Sequence, residues 1–275
     1  MASLKTSTHI HMIGIGGTGL SAIALYLIQR GYKVTGSDRQ KSCLARRVES
    51  AGGDIFIGHK SDQILGADLV IRSSAIPEDN DEIIAAQNAG IPVYKRSDFL
   101  GLMMEGYQGI AVAGTHGKTT TTAMIAWMLI AVGLDPSYII GGVSNNLGTN
   151  AHAGKDAQFV IEADEYDRMF LGLQPEIAII TTVDYDHPDY FSTPKDFYQA
   201  FEEFVGRLSA DGVLLVCSDD RNTLSLKDIA RNQGKTTITY GLDLMPDQIK
   251  PDYLGHGLEI QENGAFTFEI IHDEV

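Results

Sequence analysis

GIAVAGTHGKTTTT, residues 109–122, is the stretch from which the rest of the chain can be interpreted. Its apolar run at 110–112 predicts a strand, residues 114–117 predict a loop, and a helical pattern follows. This order places backbone N–H groups at the positive end of a helix dipole, where anions bind. Lys118 would add a full charge, and the Thr119 hydroxyl could reach a phosphate-bound Mg²⁺. The stretch therefore predicts a nucleoside triphosphate site.

The match to the common phosphate-loop pattern is incomplete, because that pattern has glycine where this chain has Val112. A glycine-rich turn that caps a helix beside a solvated lysine is the alternative interpretation. The strand before the loop, the helix after it and the run of four threonines favour the phosphate site.

The overall composition is that of a soluble globular protein, with 44% hydrophobic and 21% charged residues in a chain of 275. A net charge of −15 argues against a nucleic-acid partner, which requires a basic face. No signal peptide or bilayer-spanning run is apparent, so we expect a cytoplasmic protein without membrane insertion. Cys43 and Cys217 lie far apart and form no disulfide or metal pattern.

A second glycine-rich turn, Gly14-Ile-Gly-Gly-Thr-Gly19, lies between a predicted strand at 9–15 and a predicted helix at 20–28. Asp38 closes the next strand, about 20 residues after the glycines, as in dinucleotide-binding folds. A nicotinamide cofactor is one ligand that this turn could take. A UDP-sugar fits equally well, because the glycines admit any diphosphate and the carboxylate can bind any nucleoside.

Further strands are predicted at 54–57, 68–72 and 92–94, with helices between them. This alternation predicts a parallel sheet covered by helices, as in a Rossmann-like domain. Ser73 and Ser74 follow one strand at the edge where such sheets bind ligands, although a plain polar turn is about as probable. We place the domain boundary near residue 106, giving domains 1–106 and 107–275.

Acidic residues cluster after the predicted strand at 157–161, in Glu162-Ala-Asp-Glu-Tyr-Asp167. So many carboxylates at a strand end indicate a cation site, and Glu162 is the best candidate ligand. His187 follows another strand, at 177–182, with acids on both sides. A histidine ligand for Mg²⁺ needs independent support, because Mg²⁺ prefers oxygen.

These motifs together carry a family resemblance over nearly the whole chain. The chain resembles the Mur ligases of peptidoglycan synthesis in Gly114-Thr-His-Gly-Lys-Thr-Thr120, Glu162-Ala-Asp-Glu-Tyr-Asp167, Asp186-His187, Gly14-Ile-Gly-Gly-Thr-Gly-Leu-Ser21, Gly36-Ser-Asp38 and Ser73-Ser-Ala-Ile76. The resemblance implies a Rossmann-like N-terminal domain followed by a P-loop-type α/β central domain. It also implies an ATP-dependent amide ligase that converts a substrate carboxylate to an acyl phosphate, which an amine then attacks.

Residue roles follow from the same resemblance. Lys118, Glu162 and His187 would be catalytic, and Thr119, Glu162 and His187 would bind Mg²⁺. The ATP-binding residues would be Gly114, Thr115, His116, Gly117, Lys118, Thr119 and Thr120. The substrate-binding residues would be Gly16, Gly17, Thr18, Gly19, Asp38, Ser73 and Ser74.

Within the family, the chain is most similar to the members that join L-alanine to UDP-N-acetylmuramate. Tyr166 and the loop Gly141-Gly-Val143 are more similar to the members that attach recycled tripeptide to the same sugar, which is the alternative. Family members continue beyond the length of this chain with the rest of the central domain and a third domain. We therefore expect a C-terminally truncated fragment that is inactive as a ligase by itself.

Two interpretations from other classes stay open at this point. One is an NAD-dependent dehydrogenase built on residues 14–38, which leaves Lys118 and the acidic cluster unexplained. The other is a nucleotide-binding regulatory protein without chemistry.

Overall fold

A computed structural model describes residues 8–242 and 250–272 of the chain. Two compact units are present. Unit 1 comprises the described part of residues 1–109 together with 119–162, and unit 2 comprises 110–118 together with the described part of 163–275. The predicted boundary near residue 106 stays a prediction.

A five-stranded, entirely parallel sheet organises the first hundred residues of unit 1. Its strands are β1 (His9–Ile13), β2 (Lys33–Asp38), β3 (Asp54–Ile57), β4 (Leu69–Arg72) and β5 (Val93–Lys95). The strand order is β3-β2-β1-β4-β5, so the direction of winding reverses between β1 and β4. Open α/β sheets bind ligands beyond the carboxyl ends of the strands at such a reversal.

Three helices connect these strands: α1 (Thr18–Gln29), α2 (Cys43–Ser50) and α3 (Asp81–Asn88), and a fourth, α4 (Arg96–Met104), follows β5. A short 3-10 helix covers Ser61–Ile64. Side-chain oxygens cap two of the helices: Ser42 accepts from the Ala45 amide at α2, and Asn80 accepts from the Glu82 amide at α3. Ile13, Val70 and Ile83 form part of an apolar cluster that joins the sheet to α3.

The rest of unit 1 packs on α1. It contains most of α5 (Lys118–Ala131), β7 (Ser137–Ile139), β8 (Ala151–His152) and β9 (Gln158–Glu162). The Tyr26 ring of α1 stacks on Phe159 at 5.5 Å between ring centres. Arg30, at the end of α1, donates to the Tyr107 hydroxyl at 2.5 Å and to the Gly154 carbonyl at 2.6 Å.

Unit 2 is built on strands in the order β14-β13-β12-β11-β10-β6. These are β6 (Gln108–Ala113, of which 110–113 belong to this unit), β10 (Ile177–Ile180), β11 (Val213–Cys217), β12 (Thr236–Leu242), β13 (Tyr253–Ile260) and β14 (Phe266–His272). All neighbours pair in parallel except β13 and β14, which form an antiparallel hairpin. The helical elements are a 3-10 segment at Tyr166–Gly172, α6 (Pro194–Val205) and α7 (Arg221–Asn232).

The predicted fold class is confirmed, with a parallel-sheet N-terminal part and a mixed α/β central part. Among residues 8–242 and 250–272, no helix combines the length and the apolar composition that crossing a bilayer needs.

Candidate functional site

The loop between β6 and α5 lies in unit 2 against the segment that follows β10. The Thr115 amide donates to the Thr182 carbonyl at 2.8 Å, and the His116 amide donates to the Thr182 hydroxyl at 3.2 Å. The Thr115 hydroxyl donates to the Asp184 carbonyl at 2.8 Å. Two amides of the loop are thus used to hold its shape, which leaves the later amides of Gly117 and Lys118 as the ones that an anion could use.

Glycine is required at both ends of this loop. Gly114 has a φ of +126°, and a Cβ atom there would lie 2.2 Å from the Thr181 hydroxyl oxygen. Gly117 has a φ of +84°, a backbone conformation that residues other than glycine seldom adopt. The backbone therefore turns into α5 through two positions that favour glycine.

Lys118 is the first residue of α5, and its side chain is mostly buried. Its ammonium donates to the Gly114 carbonyl at 2.6 Å and to Glu165 Oε1 at 2.9 Å. Glu165 is fully buried, and burial raises the pKa of its carboxyl group despite the Lys118 charge. Its other oxygen, Oε2, has no hydrogen-bond partner among the described residues. No local sequence pattern indicates this pairing, because the two residues lie 47 positions apart.

His187 lies near the same Glu165 oxygen that pairs with Lys118, with its Nε2 atom 3.6 Å from Oε1. The backbone of His187 has a φ of +55°, which is uncommon for a residue other than glycine. The ring edge of Tyr166 packs on the imidazole at 5.0 Å between centres, and Tyr166 itself donates to Asp189 at 3.0 Å. Strained conformations of this kind occur preferentially at functional sites. In unit 2, the structure thus brings Lys118, Glu165 and His187 together.

Thr119 and Glu162 form a hydrogen-bonded pair in unit 1. The Thr119 hydroxyl donates to Glu162 Oε1 at 3.0 Å, and the Gly141 amide donates to Oε2 at 2.7 Å. The pairing confirms that these two predicted cation ligands are neighbours, although their role stays a prediction. A Cβ atom at Gly141 would lie 2.5 Å from Glu162, so the loop approaches the carboxylate closely only because this residue is glycine.

A cavity of about 430 Å³ opens beside this pair. Its lining combines the exposed hydroxyl face of α5 with apolar and amide side chains: Thr119, Thr120, Met124, Trp127, Val143, Asn145 and Asn146. Part of the loop at residues 141–150 thus forms one wall of this cavity.

The second glycine-rich turn lies at the carboxyl end of β1, at the reversal of the sheet. The Gly16 amide donates to Asp38 Oδ2 at 2.9 Å, and the Ser42 hydroxyl donates to the Gly16 carbonyl at 2.9 Å. A Cβ atom at Gly14 would lie 3.1 Å from Cβ of Ser73, so the turn meets the loop that follows β4. Gly17 and Thr18 begin α1, while Ser74 is exposed in the β4 loop. The predicted substrate residues therefore share one edge of one sheet.

Arg96, at the start of α4, was not identified from the sequence. A Cβ atom at Gly19 would lie only 1.5 Å from Nη1 of Arg96, so the guanidinium group occupies the space that a side chain at position 19 would need. This places a positive charge against the first turn of α1, which has no acidic residue.

No cluster of three His, Cys, Asp or Glu side chains able to hold a metal by themselves occurs in the described parts of the chain. The donor atoms of the Thr119–Glu162 pair are nevertheless oxygens, which Mg²⁺ prefers. Mg²⁺ commonly takes one or two protein ligands and completes its shell with phosphate oxygens and water. The residues present therefore fit a phosphate-bound Mg²⁺ better than a cation held by protein alone.

Comparisons with known proteins cover both parts of the chain. A family model described as "Mur ligase family, catalytic domain" matches residues 9–108, and one described as "Mur ligase middle domain" matches residues 112–268. The UDP-N-acetylmuramate–L-alanine ligase of Geobacter sp. (strain M21) is 44% identical over 238 residues, 86% of this chain and 51% of that protein. The enzyme of the same name from Caldanaerobacter subterraneus subsp. tengcongensis is 39% identical over 98% of this chain and 57% of its own length.

Two solved ligase structures also match the chain. UDP-N-acetylmuramate:L-alanyl-gamma-D-glutamyl-meso-diaminopimelate ligase from Neisseria meningitides superposes with a TM-score of 0.83 at 26% identity, covering 97% of this chain and 85% of that one. UDP-N-acetylmuramate-alanine ligase from Thermotoga maritima superposes with a TM-score of 0.76 at 30% identity, covering 90% of this chain and 54% of that one.

The chain spans about half the length of the curated relatives that it matches. The two family models together account for most of its residues, as the order of its motifs predicted. The chain belongs to the Mur ligase family.

Proposed function

We propose that this chain is the UDP-sugar- and nucleotide-binding part of a ligase that joins L-alanine to UDP-N-acetylmuramate in peptidoglycan synthesis. The observation that carries the proposal is the Lys118 ammonium, fixed at the head of α5 by the loop carbonyls and by Glu165. The names of the relatives supply the substrates.

In this proposal ATP binds to residues 114–120, with its β- and γ-phosphates on Lys118 and on the amides that begin α5. Two Mg²⁺ ions would offset the charge that develops as the γ-phosphoryl group is transferred. Thr119 and Glu162 would hold the first, and His187 would hold the second. Glu165, 3.6 Å from His187, supports the second position because it adds the oxygen ligand that a lone imidazole lacks.

The UDP-sugar would bind at the reversal of the five-stranded sheet. Gly16, Gly17, Thr18 and Gly19 would receive the diphosphate on backbone amides, Asp38 would bind the nucleoside, and Ser73 and Ser74 would add hydroxyl groups. Arg96 would add a positive charge beside this turn. The cavity bounded by Thr119 and Val143 is of a size to receive the sugar end of the substrate.

The chemistry then consists of two transfers. The γ-phosphoryl group passes to an oxygen of the substrate carboxylate and ADP leaves, after which the L-alanine amine attacks the acyl carbon and phosphate leaves. The chain's contribution is to position these groups and to stabilise charge, which supply most of the catalysis in phosphoryl transfer. Activity, substrates and a cytoplasmic location remain proposals, because the chain spans about half of its relatives.

A second candidate is attachment of tripeptide to the same sugar. The Neisseria structure, which carries that name, superposes over 97% of this chain. Tyr166 and the Gly141–Val143 loop also favour it.

Phosphate release by the full-length protein tests both candidates. The protein would be assayed with ATP and UDP-N-acetylmuramate against L-alanine, glycine, L-serine and tripeptide. We expect L-alanine to give the highest kcat/KM. A preference for tripeptide would establish the second candidate, and no phosphate release with any acceptor would reject both. Calorimetric titration of the 275-residue chain with UDP-N-acetylmuramate tests the first binding site independently.

A further inference from the structure

A buried chain of polar side chains crosses the five-stranded sheet of unit 1 beneath the glycine-rich turn. It runs from the Gly66 carbonyl through His9, Thr35 and His11 to Glu82. His11 and Glu82 are completely buried, and His9 and Thr35 are nearly so. Polar groups so deep in a core are costly unless each of them is hydrogen-bonded. None of these buried polar side chains belongs to the sites described above.

Four hydrogen bonds link these buried side chains, and each of them requires one proton between its two atoms. The His9 ring joins the Gly66 carbonyl at 2.7 Å and the Thr35 hydroxyl at 2.9 Å. The His11 ring joins the same hydroxyl at 2.8 Å and Glu82 Oε1 at 2.9 Å. The two ends are a carbonyl oxygen and a carboxylate oxygen, which only accept.

With Glu82 ionised, the proton count requires one of the two rings to be charged. Thr35 supplies one of the four protons, so the rings must supply three. Two neutral imidazoles carry only two N–H groups between them, and an imidazolium carries two by itself. One neutral ring and one imidazolium therefore satisfy all four links when Glu82 is ionised.

The surroundings assign the charge to His11. Burial lowers the pKa of His9, which keeps that ring neutral. His11 instead contacts the carboxylate directly. Burial raises the pKa of Glu82, but hydrogen bonds from His11, Ser37 and His59 outweigh that effect and hold the pKa below its ordinary value. His9 then donates through Nδ1 to Gly66, and Thr35 donates to His9 Nε2.

The other oxygen of Glu82 connects this pair to the glycine-rich turn. Glu82 Oε2 accepts from the Ser37 hydroxyl at 2.6 Å and from His59 Nδ1 at 2.7 Å. The Ser37 carbonyl accepts from the Gly14 and Ile15 amides at 2.8 and 3.1 Å. Ser37 also immediately precedes Asp38, whose carboxylate holds the Gly16 amide. With the nitrogen of its amide turned to Glu82, Gln63 lies 3.0 Å from Oε1 and completes the polar surroundings.

We propose that Glu82, paired with an imidazolium at His11, is a positioning residue for the UDP-sugar site and holds the glycine-rich turn and Asp38 in place through Ser37. The inference rests on the proposed function, because the ligand of that turn is the UDP-sugar. Glu82 itself contacts no ligand. It fixes the strand end from which both the turn and the nucleoside-binding carboxylate are held.

The first test records the nitrogen NMR signals of the histidine rings in the wild-type chain at pH 7. We expect both ring nitrogens of His11 to carry protons, and only Nδ1 of His9. A neutral His11 ring would overturn the assignment. This measurement requires neither a variant nor a ligand, so its outcome is independent of the proposed function.

The second test measures UDP-N-acetylmuramate binding by calorimetry. We expect Glu82→Gln and Ser37→Ala each to weaken binding at least tenfold, with Ser37→Ala leaving the thermal midpoint within a few degrees of wild type. Glu49→Gln, which changes an exposed carboxylate on α2, should bind as wild type does. Wild-type affinity in Ser37→Ala would overturn the positioning role. Absence of binding by the wild-type chain would reject the proposed substrate and this role together, while the ring spectra would still decide the charge of His11.

Discussion

The Lys118 ammonium has its hydrogen bonds made within unit 2, to two loop carbonyls and to the carboxylate of Glu165. A phosphate group that binds there must exchange with these partners, of which Glu165 is the anionic competitor. The pair is buried, so removing one member leaves an uncompensated charge, which is more damaging than removing both.

Lys118→Met should therefore lower the free energy of unfolding by about 3 kcal/mol. Lys118→Met combined with Glu165→Gln should recover more than half of that loss, because no buried charge remains. Urea denaturation measures both values, and Lys155→Met, at an exposed lysine, is the control. A double variant no more stable than the single one would show that the Lys118–Glu165 pair does not set the cost.

The contact between Gly19 and Arg96 gives a second residue-level prediction. Arg96→Ala and Gly19→Ala should each weaken UDP-N-acetylmuramate binding about tenfold, which corresponds to about 1.4 kcal/mol. The first removes the guanidinium group and the second displaces it, because Cβ would lie 1.5 Å from Nη1. The double variant should bind like either single one, since the two changes remove the same group.

Calorimetry measures these affinities, with Arg46→Ala, at an exposed arginine on α2, as control. Losses that add in the double variant would mean that Gly19 acts separately from Arg96.

Acid should remove the stabilising effect of Glu82. The folded-state pKa of this carboxyl lies below its ordinary value of 4.5, so the ionised group contributes stability above that value. The contribution is lost as the pH falls through the lowered folded-state pKa. The difference in unfolding free energy between wild type and Glu82→Gln should thus shrink as the pH falls below about 4.5. A difference that grows as the pH falls below this value would contradict this sign.

The sequence predicted the chemically distinctive site residues, but not the residues that hold them. Lys118, Thr119 and Glu162 were predicted because glycines and acids at strand ends are local signals. The roles of Glu165 and Arg96 depend on contacts across 47 and 77 positions, respectively. No local pattern encodes such contacts, so the ion pair and the position of the guanidinium group could only be seen in the structure.

At the level of elements, Arg30 at the end of α1 makes several of the hydrogen bonds that attach this helix to the 137–154 segment of unit 1. Its guanidinium group donates to Tyr107, to Ser137 and to the Gly154 carbonyl, and its Nε donates to Tyr26. Burial, with a hydrogen bond to Tyr107, raises the pKa of Tyr26 to about 12, so the phenol stays protonated at neutral pH. One planar, five-donor group thus serves several acceptors at fixed angles.

Arg30→Met should lower the unfolding free energy by about 2 kcal/mol, because the acceptors lose a charged donor. Arg30→Lys should retain less than half of the stability lost in Arg30→Met, because an ammonium group cannot reproduce the planar set of guanidinium donors. Thermal and urea unfolding would measure both variants. If Arg30→Lys were as stable as wild type, charge alone would suffice and the fork geometry would be irrelevant.

Prediction of elements succeeded where hydrophobic periodicity was strong. The strands predicted at 54–57, 68–72 and 177–182 are found at Asp54–Ile57, Leu69–Arg72 and Ile177–Ile180. Helix α6 was not predicted, although Thr193 caps it and Pro194 begins it, which is a start signal readable from sequence. Strands β7 and β8 have three and two residues and are too short for periodicity to detect.

On the scale of the whole molecule, the β13–β14 hairpin is the most exposed apolar surface of unit 2. One face carries Leu258, Ile260, Phe266, Phe268 and Ile270, all at least 42% exposed, and β14 is the outer strand of its sheet. An apolar edge strand of this kind is a template for pairing with another chain.

We expect the 275-residue chain to self-associate at concentrations above about 10 μM, a weak affinity typical of small interfaces. Phe266→Lys combined with Ile270→Lys should return it to a monomer. Analytical ultracentrifugation measures the mass, and Leu65→Lys, at a 73% exposed position in unit 1, is the matched control. A wild-type chain that is monomeric at 100 μM would contradict self-association. Association that Leu65→Lys abolishes would place the contact in unit 1 instead of on the hairpin.

The overlap between the space of a side chain at position 19 and the guanidinium group of Arg96 also constrains the history of this lineage. A larger residue 19 displaces the guanidinium group, so once either residue has been replaced, replacing the other has no further effect on that group. Each replacement therefore relaxes the constraint on the other, and the two can accumulate in either order.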